Sequence, residues 1–270
     1  MINSEDDLTK SHIKGYTRAG VYVRPHERSG TAAPLEPHHH PRPGEKGEAV
    51  LVKAPHHASS PSTWNEPSAV ATFLPDGDLP ASLNGVALHP WKDHPTTAEG
   101  WDYTEGVNDD LVEPAFHIPA GKHPAAGVLI EEPDGRVWLC APTNAFGGYH
   151  ATFPKGTAED GLSLQASAIK EAFEETGLKV RITGFMGDFE RTTSMARMYR
   201  AVRVGGSPAA MGWESQAVHL VPKGNLYEHL NGVADHPVAQ AAGAGPAPKQ
   251  PKPAASPGFK PTFGGLFGKK

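Results

Sequence analysis

The chain has 270 residues with 30 acidic and 25 basic side chains, a net charge of −5 and a pI near 6.3, which gives no electrostatic reason to expect stable nucleic-acid binding. Its single cysteine, Cys140, excludes an intramolecular disulfide framework. The N-terminus has no leader-like pattern and no apolar run is long enough to span a membrane, so we expect a cytoplasmic protein without membrane contact.

Composition divides the chain into four parts. Residues 1–61 are rich in histidine and proline, and we expect them to be mostly disordered, so that nothing preorganises His38 to His40 for a metal. Residues 62–121 scatter tryptophans among turn residues and predict an irregular extension packed on the following domain. Residues 122–243 predict one compact α/β domain, and residues 244–270 a disordered tail rich in Pro, Ala, Gly and Lys.

Hydrophobic patterning predicts the elements of the third part and one strand before it. A turn signal at residues 132–135 indicates that its first two strands form a hairpin. A helix is predicted from Ser163, as N-cap, to Gly177, as the residue that ends it. Strands are predicted over residues 70–74, 126–130, 137–140, 179–183, 198–204 and 217–221, and short helices over 225–230 and 238–242.

The predicted helix concentrates negative charge. Glu171, Glu174 and Glu175 stand at i, i+3 and i+4 and therefore share one face, near the negative end of the helix dipole. Each like-charge pair costs about 0.2–0.5 kcal/mol, and a hard divalent cation would offset this repulsion. The alternative is a solvated acidic face without function.

The residues before and after the acidic run favour the metal-binding alternative. Gly156 is followed at spacings of five and seven residues by Leu162 and by Lys170-Glu-Ala-Phe-Glu-Glu-Thr-Gly-Leu178. Over these 23 positions the chain resembles the Nudix box, Gly, Glu, then Arg-Glu-apolar-X-Glu-Glu-X-Gly-apolar. Two positions depart from the pattern. Leu162 stands where the family has a glutamate, and Glu159 and Asp160 are possible substitutes nearby. Lys170 stands where the family has an arginine, so it lacks the planar guanidinium group that can bind a glutamate through two hydrogen bonds.

The resemblance implies a Nudix-type α/β/α sandwich with a mixed sheet and a hydrolase that uses Mg²⁺ or Mn²⁺. Such an enzyme cleaves the pyrophosphate bond of a nucleoside diphosphate derivative by water attack on phosphorus. The substrate classes left open are ADP-ribose-like compounds, dinucleoside polyphosphates and diphosphoinositol polyphosphates. The implied metal ligands are Glu171, Glu174, Glu175 and the backbone carbonyl of Gly156.

Further candidates follow from the needs of this reaction. Glu174, Glu175 and Glu214 are the candidate catalytic carboxylates, with Glu214 as general base or fourth metal ligand and Glu190 as the alternative base. Lys155, Arg191 and Arg197 are candidate phosphate contacts, against the alternative of surface cations. The candidate base-stacking residues are Phe146, Tyr149 and Trp213, which core packing would explain equally well.

Two other classes of function remain open at this point. The chain could be a non-catalytic Nudix-fold module that binds or senses a nucleotide, and loss of the helix carboxylates would indicate that class. It could also be an interaction protein of a mobile element whose tails are the functional parts. The expected partner is a small nucleoside diphosphate-type molecule, and a homodimer is compatible with the sequence.

Overall fold

The computed structural model describes residues 34–247, which contain eleven β-strands and four α-helices. The strands are β1 (His38–His39), β2 (Leu51–Val52), β3 (Ala71–Phe73), β4 (Ser82–Leu83), β5 (Val86–Ala87), β6 (His123–Ile130), β7 (Arg136–Pro142), β8 (Lys155–Thr157), β9 (Leu178–Glu190), β10 (Ser194–Gly206) and β11 (Ser215–Pro222). The helices are α1 (Ala98–Asp102), α2 (Leu164–Thr176), α3 (Leu226–His229) and α4 (His236–Ala241). No helix within these residues is long and apolar enough to cross a bilayer.

Two sheets form the centre of the molecule. The larger has the order β8-β6-β10-β9, in which β6 and β10 are parallel and the other pairs antiparallel. The smaller has the order β3-β11-β7, and all its pairs are antiparallel. The predicted mixed α/β fold is therefore confirmed.

The predicted hairpin between β6 and β7 is wrong. Its turn exists, since the backbone N–H of Gly135 donates to the carbonyl of Glu132 at 2.9 Å, but beyond the bridge between Glu131 and Val137 the two strands enter different sheets. Both strands consist almost entirely of buried residues. A strand that is apolar on both sides needs cover on both faces, and separation into two sheets provides it.

Helix α2 begins and ends where the sequence predicts. The Ser163 hydroxyl accepts a hydrogen bond from the backbone N–H of Ala166 at 3.1 Å, and Gly177 ends the helix in the left-handed region at φ 69°. Ala168, Ile169 and Ala172 are fully buried in the main core. Burial of this stripe leaves Glu171 and Glu174 on a less buried side of the helix, whereas Glu175 is itself buried.

The extension before the domain packs through aromatic residues. Trp64, Trp91 and Trp101 are buried, and Trp91 meets Phe173 of α2 edge to face at 5.4 Å between ring centroids. The Lys179 ammonium lies 4.9 Å from the Trp91 ring centroid. These contacts place Trp91 and its neighbours against α2 and β9.

Residues 34–61 differ from the expected disorder. Strands β1 and β2 pair with His38 opposite Val52, and His40 and Val52 are buried. The segment from residue 40 to residue 53, called the strap below, is held by hydrogen bonds to residues far along the chain, which composition does not reveal. The predicted disorder of residues 1–33 and 248–270 lies outside the described residues.

Candidate active site

A cavity of about 860 Å³ lies between the second half of α2, strand β8, the loop after β7, the loop before β11 and the strap. Six carboxylates and two ammonium groups line it, so its side chains carry an excess of negative charge. The acidic residues are Glu45, Glu159, Glu171, Glu174, Glu175 and Glu214, and the basic ones are Lys155 and Lys170.

Glu171 is the half-buried acid at the centre of this charge. Within residues 34–247 its carboxylate receives no hydrogen bond and forms no ion pair. Burial, followed by the charges of Glu175, Glu174 and Glu214, raises its pKa to about 9. Its carboxylate lies against Gly156, where a Cβ would collide with it. A side chain at this position of β8 would therefore displace the Glu171 carboxylate.

Glu175 is the buried acid of the site. Its Oε2 accepts hydrogen bonds from the Lys155 backbone N–H at 2.7 Å and from the Cys140 thiol at 3.5 Å. Burial raises its pKa to about 7, although the charge and backbone N–H of Lys155 counteract this. Strand β8 thus contacts both buried carboxylates, Glu175 through Lys155 and Glu171 through Gly156.

Glu174, the third helical acid, is already paired. The Lys170 ammonium donates to both of its carboxylate oxygens at 2.8 Å and also forms an ion pair with Glu159 at 2.7 Å. Leu162, which replaces the family's glutamate, packs against the main hydrophobic core. Glu159, and not residue 162, therefore supplies a second acid to Lys170 beside Glu174. Leu162 has a packing role.

The two candidate bases lie in different places. Glu214 is exposed at the rim of the cavity, where partial burial and repulsion by Glu174 raise its pKa. Glu190 stands at the end of β9, with 64% of its side chain exposed, and pairs with Lys122 at 3.1 Å. Only Glu214 of the two lines the cavity among the described residues.

The three candidate stacking residues all line the cavity. Phe146 is 81% exposed at the tip of a loop in which Asn144 and Ala145 adopt left-handed backbone angles. Tyr149 lies 5.2 Å from the Lys155 ammonium, measured to its ring centroid, and Trp213 is partly exposed beside Glu214. An exposed aromatic ring at a cavity mouth is available to a ligand, which core packing would not allow.

The two candidate arginines do not reach the cavity. Arg191 is buried in an ion pair with Asp235 at 2.6 Å. Arg197 donates to Asp188 and Glu113 at 2.8 and 2.9 Å, and its side chain is only 3% exposed. Both predicted phosphate contacts are thus corrected to structural ion pairs. Of the three predicted cations only Lys155 lines the cavity, where its ammonium donates to the Thr152 hydroxyl at 2.8 Å.

The chemistry of these donors fits a hard divalent cation. Glu171 and Glu175 supply buried carboxylate oxygens whose charges repel each other, and a cation would relieve that repulsion. Across residues 34–247 no group of three acidic, histidine or cysteine side chains is already arranged to hold a metal. Glu174 could join such a group only if it released Lys170.

Sequence and structure comparisons bear on this site. The sequence model of the NUDIX domain matches residues 121–239. An RNA pyrophosphohydrolase of Caulobacter vibrioides is 40% identical over 55 residues, which are 20% of this chain and 32% of that protein. The chain thus spans about a third of the length of the curated relatives that it matches.

A comparison with solved structures also found similar chains. A NUDIX hydrolase from Nitrosomonas europaea is 21% identical with a TM-score of 0.40, covering 48% of this chain and 77% of its own. An ADP-ribose pyrophosphatase from Streptococcus suis is 16% identical with a TM-score of 0.37, covering 45% of this chain and 90% of its own.

Proposed function

We propose that this chain, which belongs to the Nudix family through residues 121–239, is a divalent-cation-dependent hydrolase of the pyrophosphate bond in a nucleoside diphosphate derivative. The observation that carries the proposal is the unpaired Glu171 carboxylate. It lies between Gly156 and the other helical acids, in a cavity large enough for a nucleotide. A protein that used this helix only as scaffold would gain from pairing or removing that charge.

The chain's own residues take distinct roles in this proposal. Glu171 and Glu175, with the carbonyl of Gly156 and with Glu174 once it releases Lys170, would hold the cation, which would neutralise charge on the pyrophosphate and acidify a water. Glu214 accepts the water proton. Lys155 contacts a phosphate oxygen, and Phe146, Tyr149 and Trp213 offer their faces to the base.

The substrates to be compared are small nucleotides and RNA. ADP-ribose-like compounds, dinucleoside polyphosphates and diphosphoinositol polyphosphates follow from the family resemblance. The relative named RNA pyrophosphohydrolase adds RNA to the compounds to be tested. The net charge of −5 favours the small nucleotides, because a long anionic chain gains no electrostatic attraction.

The test is product release from this set of substrates in Mg²⁺ and in Mn²⁺. Glu174→Gln and Glu175→Gln should each lower kcat at least about a hundred-fold, because each removes a carboxylate from the cation site. Glu190→Gln is the matched control, since Glu190 lies outside the cavity, and it should retain wild-type turnover. Wild-type turnover and metal affinity in both site variants would refute the proposal.

A second candidate, a non-catalytic nucleotide-binding or regulatory module, is favoured by one specific observation. Lys170 occupies both oxygens of Glu174, and the position of the family's first glutamate holds Leu162. Equilibrium binding of Mg²⁺ and the same nucleotides distinguishes the two candidates. Tight binding without turnover of any compound would favour the module, whereas turnover excludes it.

A further inference from the structure

The strap crosses the mouth of the cavity. Two of its residues, Glu45 and Val50, line the cavity together with residues of the NUDIX domain. Glu45 lies in a tight turn that is closed by the hydrogen bond from the backbone N–H of Gly44 to the carbonyl of Glu48 at 2.8 Å. The cavity wall therefore includes a segment that lies outside the domain.

One end of the strap is attached beside Glu214. His40 Nε2 donates to the carbonyl of Ser215 at 3.1 Å, and Nδ1 of the same ring accepts the backbone N–H of Arg42 at 3.0 Å. Arg42 then donates to both carboxylate oxygens of Asp76 at 3.0 and 2.7 Å. Two parallel hydrogen bonds fix the orientation of the Arg42 side chain as well as its distance from Asp76. The strap is therefore held in a defined orientation at this end.

The other end is attached to the loop that carries Phe146. Asn144 Oδ1 accepts the backbone N–H of Lys53 at 2.8 Å, and Asn144 Nδ2 donates to the carbonyl of Leu51 at 2.8 Å. Gln216 joins the same region, because its Nε2 donates to the carbonyl of Ala54 at 2.9 Å and its Oε1 accepts the backbone N–H of Asn144. The strap thus connects the loop of the candidate base with the loop of the exposed aromatic ring.

Glu45 adds negative charge to a cavity that has few cations. Lys170 is already paired with Glu159 and Glu174, and Lys155 contacts Thr152 and the Tyr149 ring. The charge of Glu45 also acts on Glu214, the other exposed acid that lines the cavity near the strap. Every further phosphate on a ligand brings at least one more negative charge towards Glu45, and its cost grows with the number of phosphates.

We propose that the strap is part of the active site and that Glu45 is a specificity-determining residue, which disfavours ligands with three or more linked phosphates relative to ligands with two. The inference rests on the proposed function, since it concerns the substrate of the same cavity. It points to compounds of the ADP-ribose type, in which one nucleoside diphosphate is linked to a neutral group. Dinucleoside tetraphosphates would be poor substrates.

The test compares Glu45→Gln with Glu48→Gln, a matched control in the same turn. The Glu48 carboxylate is exposed, accepts the backbone N–H of Lys46 at 3.0 Å and does not line the cavity. In Glu45→Gln the KM for diadenosine tetraphosphate should fall about three-fold relative to that for ADP-ribose at low salt. In Glu48→Gln the ratio of the two KM values should remain that of the wild type.

Equilibrium binding keeps this inference separate from the proposed function. Methylene-bridged analogues with two and with four phosphorus atoms are titrated into the full chain in Mg²⁺. A shift of their affinity ratio in Glu45→Gln alone, without turnover of any substrate, supports Glu45 as a selector and refutes the hydrolase. Three outcomes would overturn the role of Glu45. They are turnover with an unchanged affinity ratio in Glu45→Gln, an equal change of the affinity ratio in Glu48→Gln, and binding of neither analogue.

Discussion

Two carboxylates of this protein stand in opposite electrostatic situations. Glu132, at the turn between β6 and β7, is buried, and each of its oxygens has partners. Oε1 accepts from Arg203 Nε at 2.6 Å and from the Trp138 indole at 2.8 Å, while Oε2 accepts from Asn84 at 2.9 Å. Glu171 has no such donor among the described residues, although three other acids raise its pKa.

The difference separates structural charge from functional charge. Glu132 joins segments that are far apart in sequence, and its burial is tolerated because Arg203 neutralises it. Burial and the neighbouring acids make the charged form of Glu171 unfavourable, and the proposed cation would offset that cost. A buried ion pair therefore indicates architecture, whereas an unpaired acid beside a cavity indicates a site.

The largest effect is expected from Glu171→Gln. Loss of the central carboxylate should lower kcat/KM for pyrophosphate hydrolysis about a thousand-fold, because the cation loses a ligand at the reacting group. The melting temperature of the metal-free protein should rise by about 2 °C, since repulsion by Glu175 and Glu174 disappears. Steady-state kinetics and calorimetry without metal measure the two quantities. A lower melting temperature would place Glu171 in the same class as Glu132.

Glu132→Gln should reverse this pattern. Arg203 would remain buried without a counter-charge, so the free energy of unfolding should fall by about 3 kcal/mol, while kcat well below the melting temperature stays near wild type. Urea denaturation followed by tryptophan fluorescence provides the measurement. The adjacent Glu131→Gln is the control, because its pair with Lys223 is partly exposed and should contribute less than about 1 kcal/mol. Equal losses in both variants would contradict the comparison.

The smallest effect is expected at His219, a buried group that avoids charge altogether. Burial, then the neighbouring His56 and His229, lowers its pKa to about 3, and its Nδ1 is hydrogen-bonded with the Thr72 hydroxyl at 3.0 Å. Between pH 6.5 and 3, His219 binds a proton in the unfolded chain but not in the folded chain. The free energy of unfolding therefore decreases as the pH is lowered through this range. From pH 7 to 5 the loss attributable to His219 is about 2 kcal/mol.

His219→Asn should remove this loss. Its urea-unfolding free energy should therefore decline less steeply on acidification than that of the wild type, and the difference of the two curves isolates His219 from the acids of the cavity. Parallel curves would show that His219 does not titrate between the two states.

Local signals in the sequence predicted the scaffold of the site. Ser163 and Gly177 define α2 through a side-chain cap and a left-handed turn, both of which depend on neighbouring residues alone. The spacing of Glu171, Glu174 and Glu175 places them on one face for the same reason. Gly156 could be assigned from its spacing to the helix, and its close approach to Glu171 agrees with that assignment.

Charge pairing could not be predicted in this way. Arg191 and Arg197 have the chemistry of phosphate ligands, yet each is paired with an acid elsewhere in the chain, Arg191 with the buried Asp235 and Arg197 with the partly exposed Glu113. Glu45 was missed because Pro, Gly and His around it indicate disorder. The short apolar run from Ala49 to Val52, whose last residue is buried, was the available signal for order.

The sequence by itself thus determined the acidic helix, its limits and the glycine beside it, because caps, turns and periodicity act over a few residues. Only the tertiary structure decided which charged side chains are paired with an opposite charge and that the strap contributes to the cavity wall. His40 and Ser215 are 175 positions apart, and Arg197 and Glu113 are 84 apart. Contacts over such distances depend on where the whole fold brings the chain together, and that position determines which carboxylates remain available to a cation and a substrate.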